Sequence, residues 1–231
     1  MKILSVTHGP LVRAELFGEI VREQGHELVE IDLPSRGRPA ANGFDAVLVF
    51  GGDQNVGEEL RHPWLHDEYD LLQSWVADGT PVLGVCLGAQ TLAHAFGARV
   101  ARLPATLAGF YETRLTDAGA ADPVLGALPR RFEALNGNGY AFELPAGAVE
   151  LATSDALSQA FRLGGSAWGV QFHPEVRRDQ VLAWFAEEQE LPKPLPELAR
   201  ELDEKLPAWQ ELGRRLCRAF LATARERRSS G

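Results

Sequence analysis

Apolar residues in the first half of this chain come in short continuous runs, separated by longer segments with helical spacing. Residues 2–7 form one such run and predict a buried strand. From Leu11 to Gln24 the apolar positions Leu11, Ala14, Leu16, Ile20 and Val21 recur at helical spacing, and Gly25 closes the segment as a C-cap. A strand is expected over His26 to Leu33, a loop over Pro34 to Gly43, and a strand over Asp45 to Phe50 that runs into Gly51-Gly52-Asp53. After a polar loop, Gln54 to His66, a helix is predicted from Asp67 to Asp78. Its sheet-facing side chains would be Trp64, Leu65, Tyr69, Leu72 and Trp75 or Val76. The run Pro81 to Val85 predicts a buried strand leading into a helix over Leu87 to Phe96, capped by Gly97. This alternation predicts a parallel sheet with helices on its faces.

The second half has a different rhythm. Short strands are expected at Arg99–Leu103, Phe110–Thr116, Arg131–Leu135, Val149–Thr153, Ser158–Leu163 and Ala167–Phe172, with a tight turn or loop at Asn136-Gly137-Asn138-Gly139-Tyr140. Short connections imply antiparallel neighbours, so the sheet is expected to be mixed. From Arg177 onward the pattern is helical. One helix spans Gln180 to Gln189, the proline-rich segment Leu191 to Pro196 breaks it, and a second spans Glu197 to Arg227, interrupted or kinked at Pro207. Leu198, Leu202, Leu206, Trp209, Leu212, Leu216 and Phe220 give the second helix an apolar stripe. The expected fold class is therefore α/β: an open mixed sheet with a mainly parallel core flanked by helices. Residues 1–176 would form the domain, and residues 177–231 a helical extension packing on it or on a partner, with homo-oligomer formation through these helices as one option.

Composition narrows the function classes. With 231 residues, 45% hydrophobic and 24% charged, the chain suits a globular domain with a sizeable core. A net charge of -9 argues against nucleic acid as a partner. No apolar run reaches membrane-spanning length, and the N-terminal run is too short for a signal peptide, so a cytoplasmic location without membrane attachment is expected. The two cysteines, Cys86 and Cys217, lie far apart, which speaks against a disulfide framework or a cysteine-rich zinc site. No metal or cofactor is implied, and no phosphate-binding glycine loop is found.

Three segments carry chemistry. Gly84-Val85-Cys86-Leu87-Gly88 is the sulfur counterpart of the Gly-x-Ser-x-Gly elbow, in which small neighbours permit a sharp strand-to-helix turn. The helix starting at Leu87 would aim its N–H groups at the sulfur and favour thiolate. A buried structural cysteine is the alternative for this stretch taken alone. Gly51-Gly52 sits where a parallel strand meets its ligand-binding edge, although a plain turn reads the same way. His173-Pro174-Glu175 would place an imidazole and a carboxylate on one side of extended chain, the base-and-orienter pair that activates a nucleophile; an incidental charge pair at a strand end is the other reading. Cys217 has no such company and is read as structural.

The order of these pieces resembles one family. Gly51-Gly52, Pro63-Trp64-Leu65, the elbow decapeptide Pro81 to Gln90, Leu92-Ala93 with Phe96-Gly97, Phe142-Glu143-Leu144-Pro145, and Gly169-Val170-Gln171-Phe172-His173-Pro174-Glu175 together resemble the class I, triad-type glutamine amidotransferases. The nearest flavour is the glutaminase domain of GMP synthases and its stand-alone relatives. The resemblance covers residues 2–176 and implies a flavodoxin-like sheet. It implies Cys86 as nucleophile, His173 as proton carrier and Glu175 as its orienter. Backbone N–H groups of Gly52 and Leu87 would form the oxyanion hole, and Gln90, Gly139 and Tyr140 would hold the substrate's amino-acid head group. Glutamine would become glutamate and ammonia through a γ-glutamyl thioester, with any ammonia acceptor on a synthetase subunit in trans. Asp53 stands where the family commonly has proline, Leu107 where many relatives have glutamate, and Asn136 to Gly139 replace a histidine-rich segment. Two other readings fit the same residues: a hydrolase of γ-glutamyl amines or peptides, and a non-catalytic regulatory homologue.

Overall fold

The structure, a computed structural model, describes residues 1–155, 157–187 and 191–230. Its strands are β1 (Lys2–His8), β2 (Glu27–Asp32), β3 (Ala46–Gly52), β4 (Val82–Val85), β5 (Val100–Leu115), β6 (Arg131–Phe142), β7 (Val149–Ser154), β8 (Leu157–Leu163) and β9 (Ala167–Val170). Its helices are α1 (Glu15–Glu23), α2 (Leu33–Arg36), α3 (Trp64–Ala77), α4 (Leu87–Ala95), α5 (Asp117–Ala121), α6 (Arg178–Glu187) and α7 (Leu195–Ser230). The strands form one sheet in the order β2-β1-β3-β4-β9-β8-β7-β5-β6. The pairings from β2 to β9 are parallel, and those from β9 to β6 are antiparallel. The expected mixed α/β sheet is thus the observed one.

Continuous apolar runs arise because the parallel strands are covered on both faces. Successive side chains alternate between the faces. Ile3, Ala46, Leu48, Phe50, Leu83 and Trp168 pack toward α1 and α7, whereas Leu4, Val47, Val49 and Val82 pack toward α3 and α4. Helix α7 sits firmly in the first of these layers. Leu198, Leu202, Leu206, Trp209, Leu216 and Phe220, all predicted for its apolar stripe, are buried in the same core as the sheet. Burying a large apolar side chain contributes roughly 1.5–3 kcal/mol, so this stripe anchors the helix to the sheet.

Several boundaries differ from expectation. The first helix begins at Glu15 rather than Leu11. The expected loop at Pro34–Gly43 opens with α2, and the strand expected to reach Phe172 ends at Val170. The two strands expected at 99–103 and 110–116 are one strand, β5, with an irregularity between Arg102 and Leu107 that takes in Pro104. A proline has no N–H for the ladder, so a bulge absorbs it. The turn expected at Asn136–Tyr140 is instead the continuation of β6, paired with β5. Its turn-like composition serves another purpose: Asn136 and Asn138 point into a buried polar layer, where each finds amide partners. Pro207 lies inside α7, which continues through it. Helix α6 is described as far as Glu187, and the last two residues of the span expected to reach Gln189 lie outside the described residues. Among the described residues no helix is long and apolar enough to cross a membrane.

Candidate active site

Strands β3, β4 and β9 are parallel neighbours, so their carboxyl ends lie side by side. Adjacent strands are about 4.8 Å apart. Gly51-Gly52 ends the first, Cys86 follows the second, and His173 follows the third by three residues. The cleft above them has a volume of about 560 Å³. Cys86, His173, Gly52, Leu87, Gln90, Gly139 and Tyr140 all line it; Glu175 lies behind His173 and does not.

The elbow is tight. Cys86 has φ 52° and ψ −108°, a left-handed conformation that costs a non-glycine residue about 1–3 kcal/mol. A Cβ on Gly84 would stand 2.4 Å from the Gly88 carbonyl oxygen, and one on Gly88 would stand 2.2 Å from that of Val49. Both glycines are therefore required by the crossing backbone. The Cys86 N–H donates to the Val170 carbonyl at 2.8 Å, which ties the elbow to the end of β9. Leu87 begins α4, and N–H groups in a first helical turn have no intrahelical acceptor.

His173 and Glu175 are both buried, with Nδ1 of the ring 2.9 Å from Glu175 Oε1. Cys86 lines the same cleft as the imidazole, and its charge acts on the ring. Burial alone would depress the ring's pKa, but the charges of Glu175 and Cys86 and their hydrogen bonds outweigh it and raise it to about 10. The ring is held on other sides too. Trp184 of α6 lies against it, with centroids 4.8 Å apart. Its main-chain N–H donates to Leu135 O at 2.9 Å, and its carbonyl accepts from the Trp209 indole at 2.8 Å. Gly51 completes the packing: a Cβ there would be 3.1 Å from His173 Cε1 and 3.6 Å from Cys86 Cβ.

A chain of amides backs the cysteine. Gln171 Nε2 points at Cys86 Sγ, 3.6 Å away, while its Oε1 accepts from Gln90 Nε2 at 3.2 Å. Gln90 Nε2 also donates to the Tyr140 carbonyl at 3.0 Å, which accepts from Asn138 Nδ2 at 2.9 Å. Gln90 and the Gly139-Tyr140 segment are therefore brought together on one wall of the cleft. On the far side Asp53 lines the cleft, and desolvation there together with the charge of Glu187 raises its carboxyl pKa. Sequence reasoning gave no part in the site to Gln171, Trp184, Trp209, or the buried set of His8, Glu68 and Thr91 beneath Gly51. His8 had a visible signal, since it closes a parallel strand at the sheet's ligand-binding edge. The contacts of Trp184 and Trp209 had none, because they depend on how the terminal helices fold back. Cys217 is buried in α7, and burial pushes its thiol pKa up.

A strained cysteine at a helix start thus lies beside a buried imidazole–carboxylate pair, at the carboxyl edge of a flavodoxin-like sheet. The family description glutamine amidotransferase class-I matches residues 19–182, and the chain belongs to that family. It is 40% identical over 132 residues to the glutamine-hydrolyzing GMP synthase of Thermomicrobium roseum, a match covering 56% of this chain and 23% of that protein. This chain thus corresponds to about a quarter of that relative's length. It is 32% identical over 167 residues to one of the subunits of the glutamine-hydrolyzing GMP synthase of Thermoplasma volcanium, covering 70% of this chain and 77% of that one. A crystal structure of a glutamine amidotransferase from Thermotoga maritima superposes with a TM-score of 0.83 at 26% identity, covering 95% of this chain and 98% of the other.

Proposed function

We propose that this chain hydrolyses the side-chain amide of glutamine, with Cys86, His173 and Glu175 as its catalytic triad. The observation that carries the reading is the buried His173–Glu175 pair, 2.9 Å apart, with its imidazole on the same cleft as Cys86. The Cys86 thiolate attacks the amide carbon, and the oxyanion that forms is met by the N–H groups of Gly52 and Leu87. The His173 imidazolium gives its proton to the departing nitrogen. The C–N bond breaks and ammonia leaves a γ-glutamyl thioester. His173, now neutral, takes a proton from water, whose oxygen attacks the thioester carbon; glutamate departs and the thiolate returns. Glu175 holds the ring so that Nε2 faces the sulfur and the substrate.

Gln90 and the Gly139-Tyr140 backbone hold the amino-acid head group, for they sit together on the cleft wall. The ammonia passes to an acceptor bound by a synthetase partner. A relative that is itself one of the subunits of a glutamine-hydrolyzing GMP synthase supports a synthetase partner of that kind. A second reading, cleavage of γ-glutamyl amines, draws on the carboxylates of Asp53 and Glu187, which line the cleft and would favour a cationic leaving group. Measuring turnover of glutamine beside a panel of γ-glutamyl amines decides between them. Preference for a γ-glutamyl diamine over glutamine would replace the first reading with the second, and no turnover of either by wild type with every partner supplied would remove both.

A further inference from the structure

A second buried histidine lies beneath the Gly51-Gly52 segment. His8 closes β1 opposite Gly52 and is 1% exposed. Its Nδ1 is 2.9 Å from the Gly51 carbonyl oxygen, and its Nε2 pairs with Glu68 Oε2 of α3. The other Glu68 oxygen accepts from Thr91 Oγ1 of α4 at 2.6 Å. The Trp64 indole stacks on the imidazole, with centroids 5.0 Å apart and planes 14° apart. Both ring nitrogens and both carboxylate oxygens are engaged, and the stacked indole keeps the ring from turning.

The proton count follows from the partners. A carbonyl oxygen only accepts, so Nδ1 must carry a hydrogen. Nε2 then either donates to the Glu68 carboxylate or accepts from the Glu68 carboxyl, and Nδ1 stays protonated in both arrangements. Burial lowers the pKa of this imidazole. The charge and hydrogen bond of Glu68, the Gly51 carbonyl and the charge of Asp32 at the end of β2 outweigh that and raise it above the usual histidine value.

This hydrogen bond controls more than one oxygen. In a trans peptide the C=O and the following N–H share a plane and point opposite ways. The Gly51 carbonyl and the Gly52 N–H belong to one such peptide. Holding the oxygen on His8 turns the Gly52 N–H away from His8. Two consecutive glycines would otherwise let this peptide rotate at little steric cost. Contact is close enough to exclude a side chain at position 52, where a Cβ would lie 2.8 Å from His8 Cβ.

We propose that His8, clamped by Glu68, is a positioning residue that fixes the Gly51–Gly52 peptide and so holds the Gly52 N–H toward the oxyanion; this rests on reading Gly52 as an oxyanion donor. His8→Asn keeps an amide nitrogen at the place of Nδ1, while His8→Gln keeps one at the place of Nε2 only. Ammonia release from glutamine and p-nitroaniline release from γ-glutamyl-p-nitroanilide are measured for both, beside the rate at which iodoacetamide alkylates Cys86. Alkylation needs the thiolate and no oxyanion hole. His8→Gln should lower kcat by about 10²-fold, the loss typical of one oxyanion donor, with KM and the alkylation rate unchanged. His8→Asn should keep kcat near that of wild type. The double variant His8→Leu/Glu68→Leu removes the buried pair together, so no lone charge is stranded, and Thr91 retains the Gly88 carbonyl as partner. It should show the same fall in kcat, which keeps the test open if His8→Gln does not fold. Equal effects of Asn and Gln, unchanged kcat in the double variant, or alkylation falling in step with kcat would each overturn the proposal. Wild type inactive on both substrates would overturn the glutaminase reading itself, and this inference with it.

Discussion

The Trp209 indole of α7 donates to the main-chain carbonyl of His173 at 2.8 Å. Its ring also packs between Phe132 and Phe172, with centroids 5.9 Å and 5.6 Å away. A residue far down the terminal helix therefore holds the backbone that presents the imidazole. At position 213 the same helix runs so close to Pro174 that a Cβ there would stand 2.0 Å from the Pro174 oxygen.

Trp209→Phe keeps an aromatic ring and removes the donor. It leaves the His173 carbonyl without its partner, which should destabilise the fold by about 1–3 kcal/mol. Glutaminase kcat should fall while KM holds. Chemical denaturation and steady-state kinetics check this; unchanged kcat would mean that α7 plays no part in presenting His173.

The two thiols should behave differently. Cys86 lines the cleft, whereas Cys217 is sealed in α7 with its thiol pKa pushed up by burial. Native protein should take up one iodoacetamide label, at Cys86, and denatured protein two. Cys86→Ser should abolish ammonia release and native labelling together. Mass spectrometry of the labelled peptides reads this, and native labelling at Cys217 would contradict it.

The pH profile carries a sign. With its pKa raised to about 10, His173 stays protonated across neutrality and loses its proton only as the pH climbs through that value. On the proposed mechanism the group that protonates the departing nitrogen is therefore lost on the alkaline side, and kcat/KM should fall there. Glu175→Gln removes a charge that raises this pKa, so the alkaline limb should move to lower pH. A limb that stays in place would separate Glu175 from the titration.

Gly88→Ala tests the elbow. Its Cβ would lie 2.2 Å from the Val49 carbonyl oxygen, a backbone atom that cannot swing away. Overpacking of this kind costs typically about 1–3 kcal/mol. A lower melting temperature with lost turnover is expected, and normal values for both would show that the helix can back off from β3.

Gln171→Met keeps the side chain's length and removes its amide. The sulfur loses a donor at 3.6 Å, and Gln90 loses an acceptor at 3.2 Å. Hydrogen bonds to charged groups contribute about 1.5–3 kcal/mol, so kcat/KM for glutamine should drop by roughly ten- to a hundredfold. A value within the error of wild type would leave the amide chain without a part in the reaction.

Local sequence determined a good deal. The parallel strands were legible because burial on two faces demands unbroken apolar runs. The elbow was legible because only glycine fits where a helix crosses a strand end, and the pairing of His173 with Glu175 because two residues and a proline set their geometry. The turn expected at Asn136–Tyr140 failed for the opposite reason. Asparagine and glycine favour turns locally, but here β6 pairs with β5 and Asn136 meets Gln159, a partner supplied by distant pairing.

Tertiary structure alone decided what gathers around Cys86. β9 enters the sheet beside β4 after four intervening strands have paired elsewhere, and that topology carries residue 173 to residue 86. Gln171 reaching the sulfur, His8 reaching the Gly51 carbonyl and Trp209 reaching His173 span 85, 43 and 36 residues of chain. No local pattern encodes such distances. A period of two or 3.6 residues says which face a side chain takes, and the packing of whole elements decides what it meets there.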